Sequence, residues 1–184
     1  MKHLSAQLGT RFGSFPMASP QAGFSMLEVL VTLVVLSTGL LGVANLQVDA
    51  LRGNQGAYLA SVAAQQAQDM AERMNANPAG VMANQYDVID ASIPDIEVNC
   101  QSGDCTPTQL AQFDHNRWNT SNQALLPNGA GQVAEISAGI FLVGVRWHDR
   151  QLAGASGWQT GTDAATACGE PAADTRCFFL RHQS

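Results

Sequence analysis

The chain has 184 residues, a formal net charge of -6 and a pI near 5.0. That length leaves room for one globular domain beyond its N-terminal segments, and the acidic balance argues against a nucleic-acid footprint, which needs a basic stripe. Lys2 is the only lysine, and Arg52, Arg73, Arg117, Arg146, Arg150, Arg176 and Arg181 are scattered after Glu28.

The stretch from Met1 to Gly23 carries Lys2 and Arg11 but no acid, and holds Pro16 and Pro20, which do not suit a helix interior. Next come Gly23-Phe24-Ser25-Met26-Leu27-Glu28 and an apolar run from Val29 to Leu46, with no charge until Asp49. As a helix, Phe24 to Leu46 spans about 35 Å, enough to cross the hydrocarbon of a bilayer. The Lys/Arg bias puts the short N-terminus in the cytoplasm and the rest outside. Glu28 stands out, because a carboxylate in lipid is costly and usually has a partner. A secretory signal would be cut after the run, yet Ala44-Asn45-Leu46-Gln47 offers no Ala-x-Ala site. An ordinary signal anchor needs neither Gly23 nor Glu28, and a buried core helix leaves the basic, acid-free start unexplained.

Gly23 to Glu28 ahead of such a run resembles the processing site of type IV prepilins and the related pseudopilins. The resemblance implies that residues 1–23 are a leader, cut between Gly23 and Phe24 by a prepilin peptidase, and that the new Phe24 amine is methylated. Residues 24–46 would then be a transmembrane and assembly helix, with Glu28 facing the Phe24 ammonium of a neighbouring subunit. Opposite charges about 4 Å apart gain roughly 4 kcal/mol at an effective dielectric near 20, enough to favour one register.

No proline interrupts the chain from Phe24 to Asn77, so one helix of about 54 residues, about 80 Å, is expected. Residues 47–77 form its amphipathic stem: Leu51, Tyr58, Leu59, Val62, Ala63, Met70 and Met74 recur at helical spacing and read as a stripe docked on a globular head. Asn77-Pro78 ends it. Gly39/Gly42 and Gly53/Gly56 each cost the helix about 0.5–1 kcal/mol per glycine. The plainer reading of Gly39 and Gly42 is close helix packing. The sharper one makes them a weak point, where the helix bends or melts as the subunit leaves the bilayer.

Residues 78–184 are the expected periplasmic head. Residues 79–106 read as an irregular connector, in which Ile93, Ile96 and Val98 are spaced for a short strand. Thr106-Pro107-Thr108-Gln109 opens a helix, with Thr106 as N-cap and Gln109 at the capping-box position. Leu110, Phe113, Arg117 or Trp118, Ser121 and Leu125 mark its expected inner face, and Leu126-Pro127-Asn128-Gly129 stops it. Strands follow at Gln132 to Ile136 and Gly139 to His148. In the second, Phe141, Val143, Val145 and Trp147 share one face, with Ile140, Leu142 and Arg146 opposite. Residues 153–167 read as a long loop or loose hairpin, and Phe178 to Arg181 as a last strand. Together these give the pilin architecture: α+β, with a long N-terminal helix on one face of a small antiparallel sheet.

Cys100, Cys105, Cys168 and Cys177 fit an oxidising compartment. Three pairings exist on paper, and short loops favour Cys100–Cys105 with Cys168–Cys177. Zinc, with His115 or His148, is the alternative, but neither pair has the two-residue spacing of zinc knuckles.

The head also resembles a minor-pilin subgroup, the PilV type. The residues that carry this are Cys105-Thr-Pro-Thr-Gln-Leu-Ala-Gln-Phe-Asp, Trp118, Leu125-Leu126-Pro127-Asn-Gly-Ala-Gly and Val143-Gly-Val-Arg-Trp147, with Asp49 to Gln55 and Asp69 to Pro78 in the stem. The resemblance implies a minor pilin at or near the filament tip that primes assembly and serves adhesion or twitching motility. Its implied partners are other minor pilins, the major pilin, a tip adhesin, the prepilin peptidase and the inner-membrane assembly platform. The head is expected in the periplasm before assembly, and the subunit in the pilus at the cell surface afterwards. Alternatives are a minor pseudopilin of a type II secretion system, or a membrane-anchored periplasmic domain that binds a ligand or polysaccharide.

No enzyme motif is present. There is no Gly-x-Ser-x-Gly and no His-Glu-x-x-His, and Gly53-Asn-Gln-Gly56 is too short for a phosphate loop. Asp114-His115 and His148-Asp149 are acid–histidine neighbours, but adjacent residues on a helix or strand point apart. Both pairs read as surface polar residues near element ends, so no catalytic residue, cofactor or metal is expected.

Overall fold

A computed structural model describes residues 23, 25–152, 162–169 and 173–184. Phe24, residues 1–22 of the expected leader and residues 153–161 of the expected loop lie outside these. The chain divides into two units, Met1–Asn45 and Leu46–Ser184, and a single helix, α1 (Met26–Ala76), passes from one to the other.

Pro78 ends α1, as expected, but the chain does not become irregular there. Asn77 caps a new short helix, α2 (Pro78–Met82), by accepting from the Gly80 N–H at 3.1 Å, with Pro78 at the first helical position. The same Asn-Pro pair that stops one helix starts the next.

In the second unit, the buried stripe of α1 is Val62, Ala63, Ala67, Met70, Ala71 and Met74. Leu51 and Tyr58, expected in this stripe, are 68% and 63% exposed. Burial on α1 begins near Leu59, which packs at the margin of the core. Alanines make up half of the buried seam.

The sheet is three-stranded and antiparallel, in the order β1 (Ala130–Ser137), β2 (Ile140–His148), β3 (Thr175–Gln183). β1 and β3 extend beyond the expected strands at both ends. Phe141, Val143, Val145 and Trp147 of β2, with Val133 of β1, join the α1 stripe in one core, and Phe178 and Leu180 of β3 flank it. The opposite face is covered too. Residues 162–167, expected as loop, lie in helix α4 (Thr162–Cys168), whose Ala167 and Cys168 pack with Leu142, Cys177 and Phe179. Alanines at 164, 165 and 167 favour the helix, and the Cys168–Cys177 disulfide ties it to β3. Gly144 permits the approach, since a Cβ there would collide with the Ala167 carbonyl.

Helix α3 (Pro107–Leu125) opens as expected. Thr106 Oγ1 accepts from the Gln109 N–H at 3.3 Å, and Gln109 Oε1 accepts from the Thr106 N–H at 2.9 Å. Its inner face is the one expected at Phe113 and Trp118, but not at Leu125, and it is more polar than expected. The buried residues are Ala111, Phe113, Asp114, His115, Trp118, Asn119 and Asn122, while Arg117 and Leu125 are exposed. The reason lies in the connector. Ile93, Ile96 and Val98 form no strand, so the carbonyls around them need other donors. α3 supplies these donors. Asn119 Nδ2 donates to the Asp90 and Ser92 carbonyls at 2.7 and 2.9 Å, Asn116 Nδ2 to Pro94 at 2.7 Å, and Gln112 Nε2 to Asp95 at 3.0 Å. The helix turns a partly polar face inward because an extended segment without strand partners lies against it.

Candidate assembly segment

Ser25 starts the helix. Its Oγ accepts from the Leu27 N–H at 3.3 Å and its carbonyl from Glu28 N–H at 3.0 Å, which satisfies groups that a helix start leaves open. Glu28 lies in the first turn, where a carboxylate also meets the positive end of the helix dipole. From Met26 to Leu46 every residue is exposed in the single subunit, Leu27 at 70% and Leu41 at 67%. Covering each such leucine or valine is worth about 1.5–3 kcal/mol, so this surface requires lipid or neighbouring helices. The hydroxyls do not oppose that. Thr32 donates to the Val29 carbonyl at 2.8 Å, Ser37 to Leu33 at 2.6 Å and Thr38 to Val35 at 2.9 Å. By length and composition, α1 can cross a membrane. Gly39 and Gly42 lie in unbroken helix, and a Cβ at either would meet nothing within 4 Å.

Of the other expected site residues, Gly23 is exposed ahead of the helix and Phe24 lies outside the described residues. The structure joins Cys100 to Cys105 and Cys168 to Cys177, with Cα–Cα distances of 5.6 and 6.2 Å. With every cysteine in a disulfide, none is left to ligate zinc.

Of the two acid–histidine pairs, His148-Asp149 lies at the end of β2 as expected, but neither pair is a surface pair. Asp114, His115 and Asp149 are buried, and the first two sit mid-helix. Each has a holding role. His115 Nε2 lies 2.9 Å from the Asp90 carbonyl, and Asp149 pairs with Arg176 of β3. Asp114 anchors a network: Arg73 Nη1 reaches one carboxylate oxygen at 3.0 Å, and Tyr86 donates its hydroxyl to the other at 2.7 Å. Arg73 also pairs with Asp69 at 2.9 Å. Burial opposes the Arg73 charge, but hydrogen bonds to Asp69 and Asp114 outweigh it and raise its pKa. Burial, then the bond to Asp114, pushes the Tyr86 phenol up. Asn77 completes the set, donating to Tyr86 Oη at 3.2 Å and to the Pro107 carbonyl at 2.8 Å. Sequence reading missed this cluster. Its local trace is Asp69 and Arg73 at i, i+4 spacing, with no mark of the distant Asp114. A second tie is Trp118, whose indole N–H donates to the Gln66 carbonyl of α1 at 2.7 Å.

Two family models match the chain. The prokaryotic N-terminal methylation motif covers residues 18–44, and the family described as type IV pilin Tt1218 covers residues 45–116. No curated protein and no solved structure matches. The two matches adjoin, and together they take in more than half of the chain. They meet within an exposed apolar helix with an acid in its first turn, which continues as the core helix of a disulfide-bonded α+β head. The two matches support a type IV pilin that carries the N-terminal methylation motif and is of the kind prepilin peptidase processes.

Proposed function

We propose that this pilin is a minor subunit of the PilV type, which primes filament growth at or near the pilus tip and so serves adhesion or twitching motility. Prepilin peptidase cuts it between Gly23 and Phe24 and the Phe24 amine is methylated. Before assembly its N-terminus faces the cytoplasm and its head the periplasm. Glu28 recruits the Phe24 ammonium of an adjacent subunit as the apolar helices pack side by side. The head contacts other minor pilins and a tip adhesin, and the subunit is handled by the inner-membrane assembly platform and capped onto the major pilin.

The observation that carries this reading is Glu28, an acid in the first turn of a helix that runs on uncharged and uncovered from Val29 to Leu46. A cation and an acid that are each costly in lipid offset one another when the helices adjoin. The minor rank and PilV type are supported by the head motifs from Cys105 to Asp114 and from Leu125 to Gly131.

Mass spectrometry of the protein from membranes and from sheared pili tests it. A mature chain starting at methylated Phe24, present in pili well below the major subunit, is expected. A chain that still begins at Met1 and is missing from pili overturns the proposal.

A further inference from the structure

In an α-helix each N–H donates to the carbonyl four residues earlier. For Leu27 that carbonyl belongs to Gly23, the residue on the leader side of the proposed cut. The structure gives the Leu27 N–H a different acceptor, the Ser25 hydroxyl oxygen at 3.3 Å. The Glu28 N–H also stops short, on the Ser25 carbonyl at 3.0 Å. The first bond of full helical span runs from the Val29 N–H to that same carbonyl at 3.3 Å. Helix α1 accordingly begins at Met26, and Gly23 lies exposed ahead of it. Among the described residues nothing donates to the Gly23 carbonyl.

Hydrolysis at this place adds water to the Gly23 carbonyl carbon and breaks its bond to the Phe24 nitrogen, leaving a Gly23 carboxylate and a Phe24 ammonium. The attack needs that carbonyl uncovered. One more turn of helix would cover it, because the Leu27 N–H would then bond it. The upstream sequence does not forbid such a turn: Pro20 lies three residues before Gly23, and proline is tolerated at a helix start. Gly23 disfavours the turn only mildly. An N–H left bare beside lipid takes an acceptor from its own chain, so without the Ser25 hydroxyl the Leu27 N–H turns to Gly23.

We infer that Ser25 is a positioning residue for leader cleavage: its hydroxyl occupies the Leu27 N–H, ends α1 at Met26 and keeps the Gly23 carbonyl free for the peptidase. Ser25 acts here through the shape of the substrate and not by touching the reacting atoms. The inference rests on the proposed cut between Gly23 and Phe24.

Full-length protein in detergent, incubated with purified prepilin peptidase, tests it, with leader release followed by mass spectrometry. Ser25→Ala removes the acceptor, and Ser25→Val does so while keeping the shape of threonine. Both are expected to lower kcat/KM by about fivefold, the equivalent of a helix cap worth about 1 kcal/mol. The loss should fall on KM with kcat kept, because only the uncovered form binds productively. Ser25→Thr and Ser25→Asn differ in shape but each keeps a capping oxygen, and both should retain most of the wild-type value. Alanine and valine variants cut as efficiently as the wild type overturn the inference. So does an asparagine variant as slow as the alanine one, since the peptidase would then be reading the serine side chain itself. Both results leave the proposed cut standing. A wild-type chain left whole by active peptidase overturns the cut, and the role of Ser25 with it.

Discussion

Tyr86 and Asp114 lie 28 positions apart in sequence and 2.7 Å apart in space, with the phenol donating to a carboxylate that also holds Arg73 of the stem. One acid on α3 therefore fastens the C-terminal end of α1 to the segment after α2. Breaking a buried charge pair by removing one partner costs about 3–5 kcal/mol. Arg73 is partly exposed and keeps Asp69, so Asp114→Asn should cost less, about 1–3 kcal/mol. Urea unfolding of the detergent-solubilised protein, followed by tryptophan fluorescence, checks this. A change below about 0.5 kcal/mol, the range of ordinary surface substitutions, would remove the anchoring role.

The same contact sets an alkaline limit. Tyr86 is an acid whose pKa is raised in the folded state, by burial first and by Asp114 second. The unfolded chain then ionises before the native one, and binds fewer protons above the ordinary phenol value near 10. The stability from neutral Tyr86 is thus complete below about pH 10 and is lost as the pH climbs toward the raised native value. Melting temperatures from pH 8 to 11 should fall more steeply for the wild type than for Tyr86→Phe, which starts lower but lacks this slope. Parallel curves would show that Tyr86 does not carry the dependence.

Much of this fold is legible because its signals are local. Thr106, Pro107 and Gln109 announce α3 within four residues, Pro78 ends α1, and the alternation from Phe141 to Trp147 sorts β2 into two faces. What escapes reading depends on distant partners. Leu110 and Leu125 look like the inward side of α3 by hydropathy alone. The face actually turned inward carries Asn119, whose amide is needed by carbonyls 27 and 29 positions earlier in the chain. Ala67 and Ala71 are too small to mark the stem stripe, although they lie in its seam. α4 is hidden in an Ala- and Thr-rich stretch with little amphipathic contrast. The proposed processing motif is compact, from Gly23 to Glu28, and so is readable from sequence. The ammonium proposed for Glu28 belongs to another subunit, so a single chain cannot display the pair.

Glu28 is dispensable for cleavage under this mechanism, because its partner appears only when subunits meet. Glu28→Ala should yield a mature chain of normal length and a normal membrane pool. Its level in sheared pili should fall at least about tenfold, the equivalent of roughly 1.4 kcal/mol and well within what such a pair can supply. Quantitative immunoblots of membrane and pilus fractions read both quantities. Wild-type levels in pili would refute the charge pairing.

Gly39 and Gly42 separate two readings of the apolar helix. A Cβ at either meets nothing within 4 Å, so alanines fit the single subunit and should strengthen the helix by about 1–2 kcal/mol for the pair. If the segment must bend or melt to leave the bilayer, Gly39→Ala with Gly42→Ala should reduce incorporation into pili without reducing the membrane pool. Serine has nearly the bulk of alanine but strengthens the helix by only about half as much. The double serine variant should therefore retain more incorporation than the double alanine variant. If the glycines serve close packing between helices, bulk alone matters and both variants should lose incorporation equally. Normal incorporation of the double alanine variant would dismiss the weak point altogether.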